Sequence, residues 1–430
     1  MTAPRPRTWV LLLAALFAVV QLAGVTGRDT PDTKNYLAYA LSLSGGDKRS
    51  VAAETIDYVC ASQASTARRA QSVHVLRFHR ADPTVPVTET CREREWAQVA
   101  PRLAAGQTGG HTVPYLTERY MRIFEVRPGY PAFLVPFVTA LGADWGLWTA
   151  GVVIAVAGGV LAFLILRTLA VPVPLALTGQ ALYYVLPCGS TAMRPMAEGL
   201  LMALTLAAVW GCALVLRTDR HGQPGRRRAG LVLVAGSLTA LFTVKHSQAL
   251  FLGLALAAAG ALIAVRRRSA ARDVLPLAAV GLAGALGTMV LARLLHYPSE
   301  TDSLQDLLTG HFAQPDRPRP WPEFWQLEGN FWVEWLRRQA VQPLFLAALA
   351  AGAWGALRRG RAAGGFVVAA AATGVLTQAA HPDIAIWGDR LIVLAWLLPV
   401  LGLPLLLEPV VRGRVTVPAQ GQGARVGAVG

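Results

Sequence analysis

Uncharged apolar stretches alternate through this chain with short arginine clusters, and every cluster can be placed on the same side of a membrane. Residues 145–166, 199–216 and 274–292 contain no Asp, Glu, Lys or Arg. Each is about as long as the roughly 17–25 residues that a membrane-crossing helix needs. Between such stretches stand Arg226, Arg227 and Arg228, then Arg266, Arg267 and Arg268, then Arg358, Arg359 and Arg361. Arginine-rich short loops mark the cytoplasmic side. The pattern predicts an all-α polytopic membrane protein.

Composition agrees. Of 430 residues, 54% are hydrophobic and only 15% charged, with a mean hydropathy of +0.42; a soluble chain of this size carries far more polar surface. The net charge of +15 would suit a nucleic-acid binder, but the excess arginines sit in loops beside apolar spans, so no nucleic acid is expected. Attraction to anionic membrane lipid is the secondary role left to them.

With the clusters inside, a topology follows. Residues 1–27 form a first span, read as an uncleaved anchor because no small-x-small cleavage site follows the apolar run. Residues 28–143 form a large first extracytoplasmic loop with interfacial helices. Transmembrane helices 2–7 occupy 144–296, a second, Trp-rich outer loop 297–339, helices 8–10 residues 340–408, and a cytoplasmic tail 409–430. The stretch 228–266 would reach roughly 55 Å as one helix, against a bilayer core of about 30 Å. It is therefore expected to turn back at Lys245–Gln248. Residues 129–141 are apolar but too few to span, and are expected to lie in the outer interface or to re-enter. The count is about ten membrane-spanning helices, in the plasma membrane.

Several ionisable residues then fall at outer ends of spans, against the charge rule. Asp29 and Asp32 follow the first span, where a carboxylate can serve as general base toward an acceptor hydroxyl; from spacing alone, neutralising Arg28 and Lys34 is the better account of them. Lys245 and His246 occupy the hairpin tip, where cations can grip a lipid phosphate; snorkelling toward water requires no ligand. Arg194 and Arg390 complete an outer-face set suited to an anionic ligand. Arg127-Pro128-Gly129-Tyr130-Pro131 reads locally as a helix start.

Taken in order, these features resemble the GT-C class of polyprenyl-phosphate-sugar-dependent glycosyltransferases, which includes protein O-mannosyltransferases and the lipid A aminoarabinose transferase. Asp32, Tyr36 and Ala40 match the Asp-x-x-x-Tyr run and following Ala after the first helix. Arg127 to Pro131 match an Arg-Pro-x-Tyr-Pro run before an apolar segment. Arg194-Pro195-Met196-Ala197-Glu198 is similar to a Pro/Glu pair opening a span, Lys245 to a lone basic residue, and Asp389-Arg390 to a pair before the last helix. The resemblance runs from the N-terminus to about Phe251. It implies a polytopic membrane enzyme moving a sugar from a polyprenyl-phosphate donor to a glycan, lipid or protein hydroxyl on the extracytoplasmic face. Inversion would follow from a single displacement. Asp32 or Asp29 would be the base, and the choice between them stays open. Lys245, His246, Arg194, Arg127 and Arg390 would bind the donor phosphate, with Tyr36 and Tyr130 in the substrate groove. No cofactor is demanded by this chemistry, although a divalent cation is compatible with it. The rival readings are a transporter or flippase of a lipid-linked sugar and a non-catalytic cell-envelope assembly protein.

Two features remain. Trp321, Trp325, Trp332 and Trp335 crowd the second outer loop. They suit first an interfacial aromatic belt, and a wall for sugar or isoprenoid, with Trp325 and Trp332 in it, is compatible with that. Cys60 and Cys91 share the first outer loop in an oxidising compartment and are expected to be bonded.

Overall fold

The computed structural model of the chain describes residues 5–217, 224–359, 361–384 and 390–415. Residues 218–223 of the arginine-rich loop, Asp389 and the tail beyond 415 lie outside these. Among the described residues there is helix and no strand. Seven helices are long and apolar enough to cross a membrane, the architecture of a polytopic helical membrane protein.

Helix α1 (Pro6–Gln21) is apolar from Trp9 to Val20. It is held by the stacking of Phe17 on Tyr184, ring centroids 4.6 Å apart, and by Trp148, whose Nε1 donates to the Gln21 carbonyl at 3.2 Å. Four helices follow within the expected first loop: α2 (Thr33–Leu43), α3 (Lys48–Ser72), α4 (Thr84–Ala104) and α5 (Glu118–Glu125). Asp47 starts α3 by accepting from the Arg49 and Ser50 amides, the ordinary way of satisfying a helix's first donors. The expected disulfide joins Cys60 of α3 to Cys91 of α4, with Cα atoms 5.5 Å apart. Its 31-residue separation corresponds to about 3–4 kcal/mol of stabilisation on the chain-entropy account. Lys34 of α2 pairs with the buried Glu95 of α4 at 2.9 Å, tying this unit to the helix that carries Asp32 at its start.

Helix α6 (Gly129–Thr168) reverses at Gly142, whose φ of +73° lies where only glycine is comfortable. A Cβ on Gly146 would stand 2.7 Å from the Val138 Cα, so residues 129–141 fold back against the start of 143–168. At about 1.5 Å per residue the first limb covers about 20 Å, short of a bilayer core. Next come α7 (Val173–Val185) and α8 (Pro187–Ala192), separated by extended Leu186. A residue before proline prefers that conformation. They lead to the uncharged middle and end of α9 (Ala197–Leu216).

Helix α10 (Pro224–Arg266) also breaks, at Lys245, with φ −160° and ψ 96°. The limbs 224–244 and 246–266 run side by side, because Leu238 of one and Gly253 of the other both abut the 281–285 stretch of α11 (Ala271–Leu294). The reversal anticipated from chain length is present, compressed to a single extended residue. Gly253 and Gly281 let the backbones meet, each lying where a Cβ would sit 2.7 Å from the other's carbonyl oxygen. Small residues at helix crossings do this in membranes.

The second expected loop is helical: α12 (Glu300–Leu308), opened by a capping box between Ser299 and Asp302, and α13 (Pro320–Val341). A bend of 91° separates α13 from α14 (Leu344–Arg359). The chain closes with α15 (Arg361–Ala379), a 3-10 segment Leu391–Trp396 and α16 (Leu397–Val415).

Candidate functional site

Five charged side chains from five segments meet where α2, α6, α9 and the two limbs of α10 have their ends. Asp32 stands immediately before α2, and its carboxylate is hydrogen-bonded by the Arg390 guanidinium. Arg390 Nε also lies 3.7 Å from Glu198 Oε1, and Lys245 Nζ lies 3.7 Å from the same oxygen. Glu198, in the first turn of α9, is only 5% exposed. Arg127, just before α6, stands beside the Tyr36 phenol and within electrostatic reach of Glu198 and Lys245.

Backbone geometry explains why these groups converge. The extended Lys245 removes its residue from both helical limbs and sets it at the hairpin tip. A Cβ at Gly129 would collide with Thr243, so only glycine lets the start of α6 come that close to the tip. The Thr33 hydroxyl donates to the Pro195 carbonyl at 3.1 Å, fixing the start of α2 against the turn before α9.

The cluster is not balanced. Arg127, Lys245 and Arg390 carry three positive charges against the two of Asp32 and Glu198. Three of its polar atoms, Arg127 Nε, Arg390 Nε and Glu198 Oε2, are buried with no hydrogen-bond partner. Buried polar atoms are ordinarily paired, so an excess cation with an orphaned N–H is an arrangement an anion would complete. For Arg390, burial opposes the charge, but the Asp32 and Glu198 carboxylates outweigh it and hold the guanidinium's proton more tightly than usual. Burial, foremost, also raises the Tyr36 phenol above its ordinary value, so that hydroxyl remains a neutral donor. Tyr36 meets Tyr130 edge-on at 5.1 Å, and both rings are buried.

Beside the hairpin tip opens a cavity of about 750 Å³ between the second limb of α10, α11, α12, α13 and α15. His246, Leu250, Met289, Trp325 and Glu328 are among its lining. His246 Nδ1 and Glu328 Oε2 are buried there without partners. Across the cluster, Arg119 of α5 grips Asp302 and Asp316 at 2.7 and 2.8 Å, docking the α12 region over it. Among the described residues no three His, Cys, Asp or Glu side chains are grouped as metal ligands would be.

The structure thus brings Asp32, Arg127, Lys245, Arg390, Tyr36 and Tyr130 together, with His246 at the border. Asp29 is turned elsewhere: its carboxylate accepts from the Ser62 hydroxyl of α3 at 2.5 Å. Arg194 lies in the turn before α9, where its carbonyl accepts from the Met196 amide at 2.7 Å. Trp325 reaches the cavity, whereas Trp332 packs edge-on against Phe331 and Trp335 at 5.0 and 5.3 Å. Glu198, bridged to two cations, belongs to the Pro/Glu pair that carries the resemblance but has no site role in the sequence reading. Its signal was a lone acid opening an otherwise uncharged span. Compared with protein-family models, curated proteins and solved structures, the chain matches none.

Proposed function

We propose that the chain is an integral membrane glycosyltransferase of GT-C type, moving a sugar from a polyprenyl-phosphate donor to an acceptor hydroxyl at the extracytoplasmic face of the plasma membrane. The observation that carries this reading is the cation-rich cluster holding Asp32 and Arg390 in contact, with Lys245 and Arg127 around them. Ionisable groups gathered among apolar helices are costly and mark functional sites.

The chemistry fits the residues. Phosphate leaves as a stabilised anion, so no general acid is called for. Lys245, Arg390 and Arg127 would hold its charge as the bond to the anomeric carbon breaks. Without substrate, Arg390 neutralises Asp32; a donor phosphate competes for that guanidinium and frees the carboxylate. Asp32 then accepts the acceptor's hydroxyl proton as the new oxygen–carbon bond forms, inverting the centre. The cavity starting at His246 offers apolar walls to the isoprenoid. The reading counts ten spans: α1, 143–168, α7 with α8, α9, both limbs of α10, α11, α14, α15 and α16. It leaves 129–141 in the interface.

Incubating purified protein with labelled polyprenyl-phosphate sugars should release polyprenyl phosphate. If no sugar is transferred while reconstituted vesicles carry lipid-linked sugar across the bilayer, the transporter reading replaces it.

A further inference from the structure

At the end of α1 a second, separate pocket of about 400 Å³ opens between α1 and α3. Val20, Ala23 and Thr26 line it, together with two arginines, Arg28 and Arg69. Every hydrogen bond of those guanidiniums goes to a neutral acceptor. Arg28 Nη2 donates to Gln21 Oε1 at 2.9 Å and to the Gln21 carbonyl at 3.3 Å, and its Nε to the Gly24 carbonyl. Arg69 donates to the Thr26 carbonyl at 3.1 Å, the Ser65 hydroxyl at 3.3 Å and the Gly27 carbonyl at 3.4 Å. Neither forms an ion pair with a carboxylate among the described residues, and the nearest acid in sequence, Asp29, is engaged by Ser62. Burial and then the Arg69 charge both make the Arg28 guanidinium harder to keep protonated. Two like charges converging on one opening, with no internal counter-charge, define a place for an external anion.

What kind of anion follows from the wall below. Leu12, Leu16, Val19 and Val20 are 52–61% exposed. Their spacing puts them on one face of α1, and α1 is one of the helices long and apolar enough to cross a membrane. An apolar, outward-facing stripe that ends at paired guanidiniums matches a molecule with acyl chains below an anionic phosphate. Beyond α3, Val75, Leu76 and Phe78 stand exposed among Arg77 and Arg80, a composition suited to a headgroup layer. We infer that Arg28 and Arg69 bind the phosphate of an anionic membrane phospholipid whose acyl chains lie along α1. The site is distinct from the Asp32–Lys245 cluster and does not depend on the transferase reading.

The test is the thermal unfolding of detergent-purified protein titrated with dioleoylphosphatidylglycerol, dioleoylphosphatidylcholine or inorganic phosphate. Phosphatidylglycerol should give a saturable rise in Tm of at least about 2 °C, lost in the Arg28→Gln/Arg69→Gln double variant. An equal rise with phosphatidylcholine, or one that survives in the variant, overturns the proposal. A full rise with inorganic phosphate alone shows a free-anion site and overturns the lipid assignment. Should the double variant fail to fold, wild-type protein is irradiated with diazirine-acyl phosphatidylglycerol. Adducts should concentrate on residues 12–28. Adducts equally dense on the exposed Leu282 and Leu286 of α11 would refute it.

Discussion

Arg390 closes on Asp32 across 358 positions of sequence, joining the entrance of the last helical segment to the exit of the first. Each is a counter-ion the other needs: both side chains are less than a fifth exposed, and a charge left alone at that depth is costly.

Asp32→Asn keeps shape and hydrogen bonding but loses basicity. Turnover should fall by about 10²–10⁴-fold, while donor binding, read by titration with a labelled polyprenyl-phosphate sugar, survives. Asp29→Asn should leave turnover near wild type, because Asp29 faces Ser62. The reverse pattern would assign the base to the wrong aspartate.

Lys245→Ala should weaken donor binding by about 1.5–3 kcal/mol, the usual worth of a hydrogen bond to a charged group. Unchanged affinity with reduced turnover would place Lys245 outside the phosphate contact.

The pairing of Glu198 escapes the sequence for a physical reason that also defines its test. Apolar periodicity and arginine placement reveal where helices start and on which side they emerge, which is why the reversal near Lys245 could be anticipated. They do not reveal which helix ends become neighbours. Pairing Glu198 with Lys245, or Asp32 with Arg390, requires the packing of α2, α9 and α10, and a lone acid such as Glu198 looks like any helix-start carboxylate. The Asp29–Asp32 ambiguity had the same source: only α3, by presenting Ser62, separates them. Glu198→Gln leaves Lys245 beside Arg390 with less counter-charge and should destabilise the protein by about 3–5 kcal/mol in detergent unfolding. Adding Lys245→Met should recover a large part of that loss. Simple additivity of the two effects would rule out the bridge.

Acid should destabilise the protein partly through His381, whose burial, first, and nearby cations hold its pKa down to about 4 despite Asp306. The unfolded chain takes up that proton near 6.5. Stability therefore rises with pH between about 4 and 6.5, the window in which only the unfolded state is protonated. His381→Gln should flatten this limb of a Tm-against-pH curve. A curve parallel to wild type would show that His381 titrates normally.

Sidedness can be read with an impermeant thiol reagent on intact cells. A cysteine replacing Thr108, in the exposed segment after α4, should be labelled, and one replacing Arg268, between α10 and α11, should not. The opposite result inverts the topology. Mass spectrometry of a non-reduced digest should also find the Cys60 and Cys91 peptides linked.

The tip of α10 has no slack. One extended residue joins its limbs, so adding or removing a residue there would swing one limb by about 100° around its axis. Gln248 would then leave Thr373 and Thr377, which it now meets at 2.8 and 3.0 Å, and Gly253 would lose its seat on Gly281. Segments such as 105–117 can grow or shrink without disturbing a helix register. Between Val244 and His246 the chain's length is as tightly specified as the charge it carries.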